Sequence, residues 1–191
     1  MPADRDLLVS VERALDARFA VAPARASVSF LGVEPIEILR YNIEADVTVY
    51  VSLGMSRRAM IGSSEQLVPA DGPRAELLVQ VRGDAEDLWR QLAVLAAAPV
   101  VEGVVYSEGI TVDLGMPFAR RSRCTGALVA VPILPTVVSI TAEVQILTLL
   151  PATSTELAWC RVHGADALHE RWSSQGIDLL DLGRAAARLD P

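Results

Sequence analysis

Gly54, Met55 and Ser56 begin like a nucleophile elbow, the G-x-S-x-G turn that strains a serine above a sheet. Arg58 stands where the last glycine is required, so the segment reads as a structural turn. Cys160, His163 and His169 are potential soft metal ligands, but no H-x-x-x-H, H-E-x-x-H or C-x-x-C spacing joins them. They read instead as a helix-end histidine facing the dipole, a surface histidine and a free thiol. Glu76 and Glu143 each fall in a strand pattern and read as solvated acids on a polar face, with paired acid–base carboxylates as the alternative. A Ser-His-Asp set converges in space rather than in sequence, so a hydrolase site near Ser56, Glu76 and His163 stays open. Arg120-Arg121-Ser122-Arg123 is the dense basic cluster, either a solvated loop or a grip for an acidic partner or a phosphate. All 17 basic residues are arginine, which removes Schiff-base and P-loop lysine chemistry.

The elements around these residues follow from periodicity. Leu7, Leu8, Val11, Leu15 and Phe19 recur at helical spacing over Asp4 to Phe19. Short strands follow at Val28–Phe30 and from Ile36. Val47, Val49 and Val51 alternate with Thr48, Tyr50 and Ser52, the pattern of a half-buried strand. Residues 62–72 form a loop that is either a binding lid or a simple connection. Glu76 to Val81 is the next strand. A helix is expected over Asp84 to Ala98, with Asp84 as cap, Glu86 and Asp87 favouring the helix start, and Pro99 as the stop. Strands follow at Ile110–Val112, Ala127–Val131 and Val138–Leu149. Pro151 begins the last section, in which Thr153 to Glu156 fits the capping box, where a hydroxyl and a glutamate satisfy the first amides reciprocally. The helix it starts breaks at Gly164, and a second short helix carries Leu168 and Trp172. Ile177 to Leu182 reads as a last strand or an extended tail. Runs of strands with grouped helices describe an α+β fold, a mixed, mainly antiparallel sheet flanked by helices.

A chain of 191 residues, 51% hydrophobic, buries enough surface to fold as one domain without disulfide or metal staples. Cys124 and Cys160 make no disulfide framework, which fits a reducing, cytoplasmic location. Acidic residues near the N-terminus exclude a secretory h-region there, and Ala127–Ile140 is too short and proline-broken to span a bilayer. A net charge of −7 argues against a nucleic-acid binder, whose affinity rests on clustered cations.

Three segments read in order resemble the suppressor of fused (SUFU-like) domain family. Ser52-Leu53-Gly54-Met55-Ser56 is similar to that family's T-x-G-M-S turn, with serine in place of the first threonine. Glu76-Leu77 opens a strand that leads to the helix holding Leu88-Trp89 and Leu92 to Pro99, and then to Gly109-Ile110-Thr111. Leu149-Leu150-Pro151, Thr153, Glu156-Leu157, Gly164, Ala167-Leu168, Asp181 and Arg184 match its closing motifs. The resemblance spans about Pro35 to Arg184 and implies one SUFU-like domain over residues 1–191, of the single-domain bacterial type. It implies a non-enzymatic protein-binding module, of a kind proposed as immunity proteins that sequester a partner such as a toxin domain. No cofactor, metal, nucleic acid or membrane is expected. An acidic surface speeds association with a basic partner, and an exposed sheet edge can take up an extended peptide. Ser56, Arg57, Glu76, Glu156, Asp181 and Arg184 are the candidate binding residues, and Asp181 and Arg184 are expected to pair and pin the tail. A hydrolase and a subunit of a homo-oligomer are the alternatives.

Overall fold

A computed structural model describes residues 2–44, 46–62, 72–83, 85 and 87–189. Eight strands follow the chain: β1 (Ala24–Phe30), β2 (Val33–Asn42), β3 (Val47–Leu53), β4 (Ala75–Arg82), β5 (Thr111–Asp113), β6 (Gly126–Ala130), β7 (Val137–Val138) and β8 (Glu143–Ala152). Four helices accompany them: α1 (Pro2–Phe19), α2 (Leu88–Glu102), α3 (Ser154–His163) and α4 (Ala165–Ser174). The sheet order is β1-β2-β3-β4-β8-β6-β5, with β7 paired to the start of β8. Among the described residues only β4 and β8 run parallel, and the other pairings are antiparallel.

Alternation along the strands divides the core between the two faces. Ile36, Ile38, Tyr50, Leu77, Val79, Ala127 and Leu149 turn towards α2. Leu39, Tyr41, Val49, Val51, Leu78, Val144 and Ile146 turn the other way, against Leu7, Val11, Leu15 and Phe19 of α1. Leu128 and Ala152 continue that second face beneath α3 and α4, where Leu157, Leu168 and Trp172 cover them.

Coverage on both faces corrects the reading of β3, in which every residue is buried rather than every second one. Its polar positions are tolerated because each is bonded. Tyr50 donates to Ala85 O at 3.3 Å, and Ser52 donates to Glu76 at 2.5 Å.

Pro99 does not stop α2, which runs three residues further to Glu102 and ends at Gly103 in the left-handed region (φ 68°). A proline inside a helix leaves the carbonyl four residues back without its amide. That carbonyl is Leu95 O, and the Tyr106 hydroxyl donates to it at 2.7 Å. The helix begins at Asp87, which makes no side-chain cap bond and instead accepts from Arg90 at 2.8 Å. The expected roles of Asp84 and Glu86 fall outside the described residues, as does most of the 62–72 loop.

The expected Val138–Leu149 strand is two strands, because Ser139 turns the chain and its hydroxyl accepts from Thr141 N at 3.1 Å. Pro151 lies within β8 rather than after it. Pairing with β4 ends at Leu149, so the missing amide costs no ladder bond there. Residues 177–182 form turns rather than a strand, held by Asp178 accepting from Leu180 N and Asp181 accepting from Gly183 N.

Candidate functional site

Two wholly buried glutamates organise the turns after β3 and β8. Glu76, on β4, is fully enclosed and not the solvated strand acid its pattern suggests. Its carboxylate accepts from Ser52 Oγ at 2.5 Å, Gly54 N at 2.7 Å, Ser56 N at 3.0 Å and Ser56 Oγ at 2.7 Å, with Met55 N at 3.3 Å. Ser52 Oγ in turn accepts from Leu77 N at 2.9 Å, which locks β3 to β4. Gly54 has φ 129°, and a Cβ there would sit 3.3 Å from Pro35 O, so only glycine turns the chain into the short 3-10 helix Met55–Arg57. Arg57 faces away and donates to Pro35 O at 2.6 Å, while Arg74 donates to Ser56 O and Arg57 O at 2.9 and 2.5 Å. The carboxylate thus works as an anionic cap on a ring of donors, a role carried by charge-assisted bonds.

Glu156 is the second hub. The capping box forms: Thr153 Oγ1 accepts from Glu156 N at 3.3 Å, and Thr153 N donates back at 2.8 Å. The same carboxylate accepts from Trp172 Nε1 at 2.9 Å, Ala187 N at 2.9 Å, Arg184 Nη1 at 2.7 Å and Arg184 Nη2 at 3.0 Å. Arg184 Nη2 also donates to Pro151 O at 2.9 Å. Burial pushes the Glu156 carboxyl up, but the Arg184 guanidinium and the amides of Ala187 and Thr153, with the Trp172 indole, outweigh it and hold the carboxyl below its ordinary value. Arg184 therefore pins the tail through Glu156 and not through Asp181, whose carboxylate accepts from Gly183 N at 2.8 Å. The tail is stitched along its length: Leu180 O accepts from Arg82 N, and Leu182 O from Arg123 N, each at 2.8 Å.

Ser56 and Glu76 thus meet in one cluster, with Arg57 beside them, and Glu156 and Arg184 meet in another. His163 joins neither; it stacks on Trp159 with ring centroids 4.1 Å apart. Cys160 is buried, and His169 lies edge-on to Trp172. Among the described residues no group of three or more His, Cys, Asp or Glu is placed to hold a metal. No helix among them is long and apolar enough to cross a membrane. Of the arginine cluster, Arg120 is exposed and 3.8 Å from Asp87, Arg121 takes φ 69°, and Arg123 uses its backbone on the tail.

One surface recess escaped the sequence reading. A groove of about 570 Å³ is lined by Glu108, Gly109, Leu128, Val129, Ala130, Val131, Ala165, Asp166 and His169. It lies where Gly109 and Ile110 stop pairing with β6. Val129 exchanges hydrogen bonds with them (2.8 and 2.9 Å), and Val131, just beyond β6, is exposed. Glu108 and Asp166 rim the groove without an ion pair or hydrogen bond among the described residues, and no arginine lines it. Two carboxylates beside the exposed Val131 suit a cationic segment of a partner. Neither acid carries a sequence signal, since each lies on an ordinary polar turn or helix start.

The profile of the family described as Suppressor of fused protein (SUFU) matches residues 32–185. No curated protein matches the chain. Among solved structures, a Neisseria gonorrhoeae protein assigned as a SUFU homologue superposes with a TM-score of 0.70 at 21% identity, over 95% of this chain and 97% of that one. A chain of the Sufu-Fu complex matches with a TM-score of 0.66 at 14% identity, covering 94% of this chain and 91% of that one. Drosophila Suppressor of Fused matches at 0.63 and 14% identity over 96% of this chain, which spans 50% of its length. At these identities the superpositions establish the mixed, mainly antiparallel fold.

Proposed function

Because this chain belongs to the suppressor of fused family, we propose that it is a non-enzymatic protein-binding module that sequesters a cationic partner in the manner of an immunity protein. The observation that carries the reading is the groove at Glu108, Val131 and Asp166, whose carboxylates form no ion pair among the described residues. The net charge of −7 adds long-range attraction for a basic surface such as a toxin domain, raising the association rate more than the final affinity. A solved relative is a complex of Sufu with Fu, which supports protein recognition as the mode of action. Ser56, Glu76, Glu156 and Arg184 are buried and bonded to one another or to the protein's own backbone, so their part is to hold the turns and tail in shape. Both thiols are free and buried, in keeping with action in the cytoplasm.

The test is co-expression with the product of each neighbouring gene, followed by calorimetry on the purified pair. Protection of the cells and 1:1 binding, both lost in Glu108→Arg/Asp166→Arg with unchanged circular dichroism, support the reading. Tight binding that ignores the double substitution rejects the groove. Absence of any protein partner together with a catalytic activity rejects the module.

A further inference from the structure

On the sheet face covered by α1, a second groove of about 570 Å³ carries the opposite charge. It runs between α1 and the segment leading into β7, lined by Ser10, Arg13, Ala14, Leu15, Ala17 and Arg18 of α1 together with Leu134–Val138 and Ile146. Its floor is apolar and its lining contains no acidic residue. The charged groups at its rim are Arg13 and Arg18. Neither has a carboxylate partner among the described residues; Arg18 lies only over the Phe19 ring, 5.7 Å from its centroid.

That local chemistry runs against a chain with seven more acids than arginines. It arises because α1 sorts its charges by flank. Glu12 pairs with Arg25, and Asp16 accepts from Tyr41 Oη at 3.2 Å, so these two acids serve the β1–β2 side. Ser10, Arg13, Ala14 and Ala17 fall on the opposite flank. There the small Ala14 and Ala17 leave room for a backbone at the roughly 8–10 Å spacing of packed helices. Val138 stands 69% exposed at the far wall, with Ile140 fully exposed two residues on.

We propose that this groove docks an amphipathic helix with an acidic polar face, its apolar side on Ala14, Val137 and Val138 and its carboxylates on Arg13 and Arg18. The rim from Ser10 to Arg18 spans about 12 Å, enough for anchors at i, i+3, i+4 and i+7 of a partner helix. This surface shares no residue with the acidic groove, so its occupant is a different segment or a different protein.

The test uses two fluorescein-labelled amphipathic peptides of about 18 residues with the same leucine pattern, one with glutamate and one with lysine on the polar face. Anisotropy should show the glutamate peptide binding the full chain at least about ten-fold more tightly than the lysine peptide. Arg13→Glu/Arg18→Glu, on exposed positions, should reverse that preference, whereas Glu108→Arg/Asp166→Arg should leave it intact. Amide shifts in the wild type should fall on Ala14, Ala17, Val137 and Val138. Equal binding of both peptides, or insensitivity to the arginine reversal, overturns the proposal. So does decanoate binding without peptide binding, which would give the groove to a small amphiphile. Self-association abolished by the reversal, again without peptide binding, would give it to a second copy of the chain.

Discussion

The Tyr106 hydroxyl donates to Leu95 O at 2.7 Å, replacing the amide that Pro99 lacks. Burial pushes the phenol far above its ordinary pKa, so it stays protonated and donates at any working pH. Tyr106→Phe should therefore strand a buried carbonyl and cost about 1–3 kcal/mol, read from the urea midpoint at unchanged m-value. In a Pro99→Ala background the restored amide takes over Leu95 O, and the same substitution should cost measurably less. Equal costs in the two backgrounds would refute the pairing.

Glu156 and Arg184 should set the acid limit of the fold. The Glu156 carboxyl is held below its unfolded value, so its contribution is complete above about pH 4.5 and is lost as pH falls through the folded value. Urea midpoints of the wild type should drop steeply below that point. Glu156→Gln should flatten the drop and lower stability near neutral pH by about 3–5 kcal/mol, since it leaves the buried Arg184 guanidinium without its charge.

Gly54→Ala tests the turn that Glu76 caps. The backbone at φ 129° and the 3.3 Å approach to Pro35 O make an alanine strained, and its Cβ displaces the Arg57 guanidinium. A loss of about 1–3 kcal/mol is expected by chemical denaturation. Glu76→Gln should cost at least as much, because either orientation of its amide sets the NH2 against a backbone N–H, of Met55 or of Gly54 and Ser56.

Gly126 is the tightest position in the sheet. An added Cβ would lie 2.0 Å from Val112 O and 2.7 Å from Leu157 Cδ1. Gly126→Ala should release β5 and α3 together, seen as faster amide exchange at Thr111–Asp113 and along Ser154–His163 with the β2–β3 amides unchanged.

The two thiols should be silent in the native state. Cys124 is fully buried, and that burial pushes its thiol up to about 11; burial raises Cys160 as well. Mass spectrometry after iodoacetamide at neutral pH should show no adduct on native protein and two on denatured protein. A rapid native adduct at Cys124 would contradict the packing around it.

Much of the architecture was legible because it is locally encoded. The Leu7-Val11-Leu15 stripe, the alternating valines of β3 and the Thr153–Glu156 box each state their element within a few residues. Pro99 misled for an equally local reason: the penalty for a helical proline is assessed on the helix alone, and Tyr106 lifts part of it from outside. Glu76 and Arg184 were picked out as site residues, yet sequence could not separate a carboxylate that meets a partner from one that caps the protein's own amides.

The sequence by itself determined most of the elements, the alternation along the strands and the order of motifs that place the chain in its family, because these depend on near neighbours and on periodicity. Only the tertiary structure decided that Glu156 would take Arg184 rather than leave it to Asp181. It alone set Glu108 and Asp166 on one groove and left Arg13 and Arg18 without acidic partners among the described residues. Those outcomes depend on how separate elements stack across the sheet, and charge pairing over such distances in sequence leaves no periodic trace along the chain.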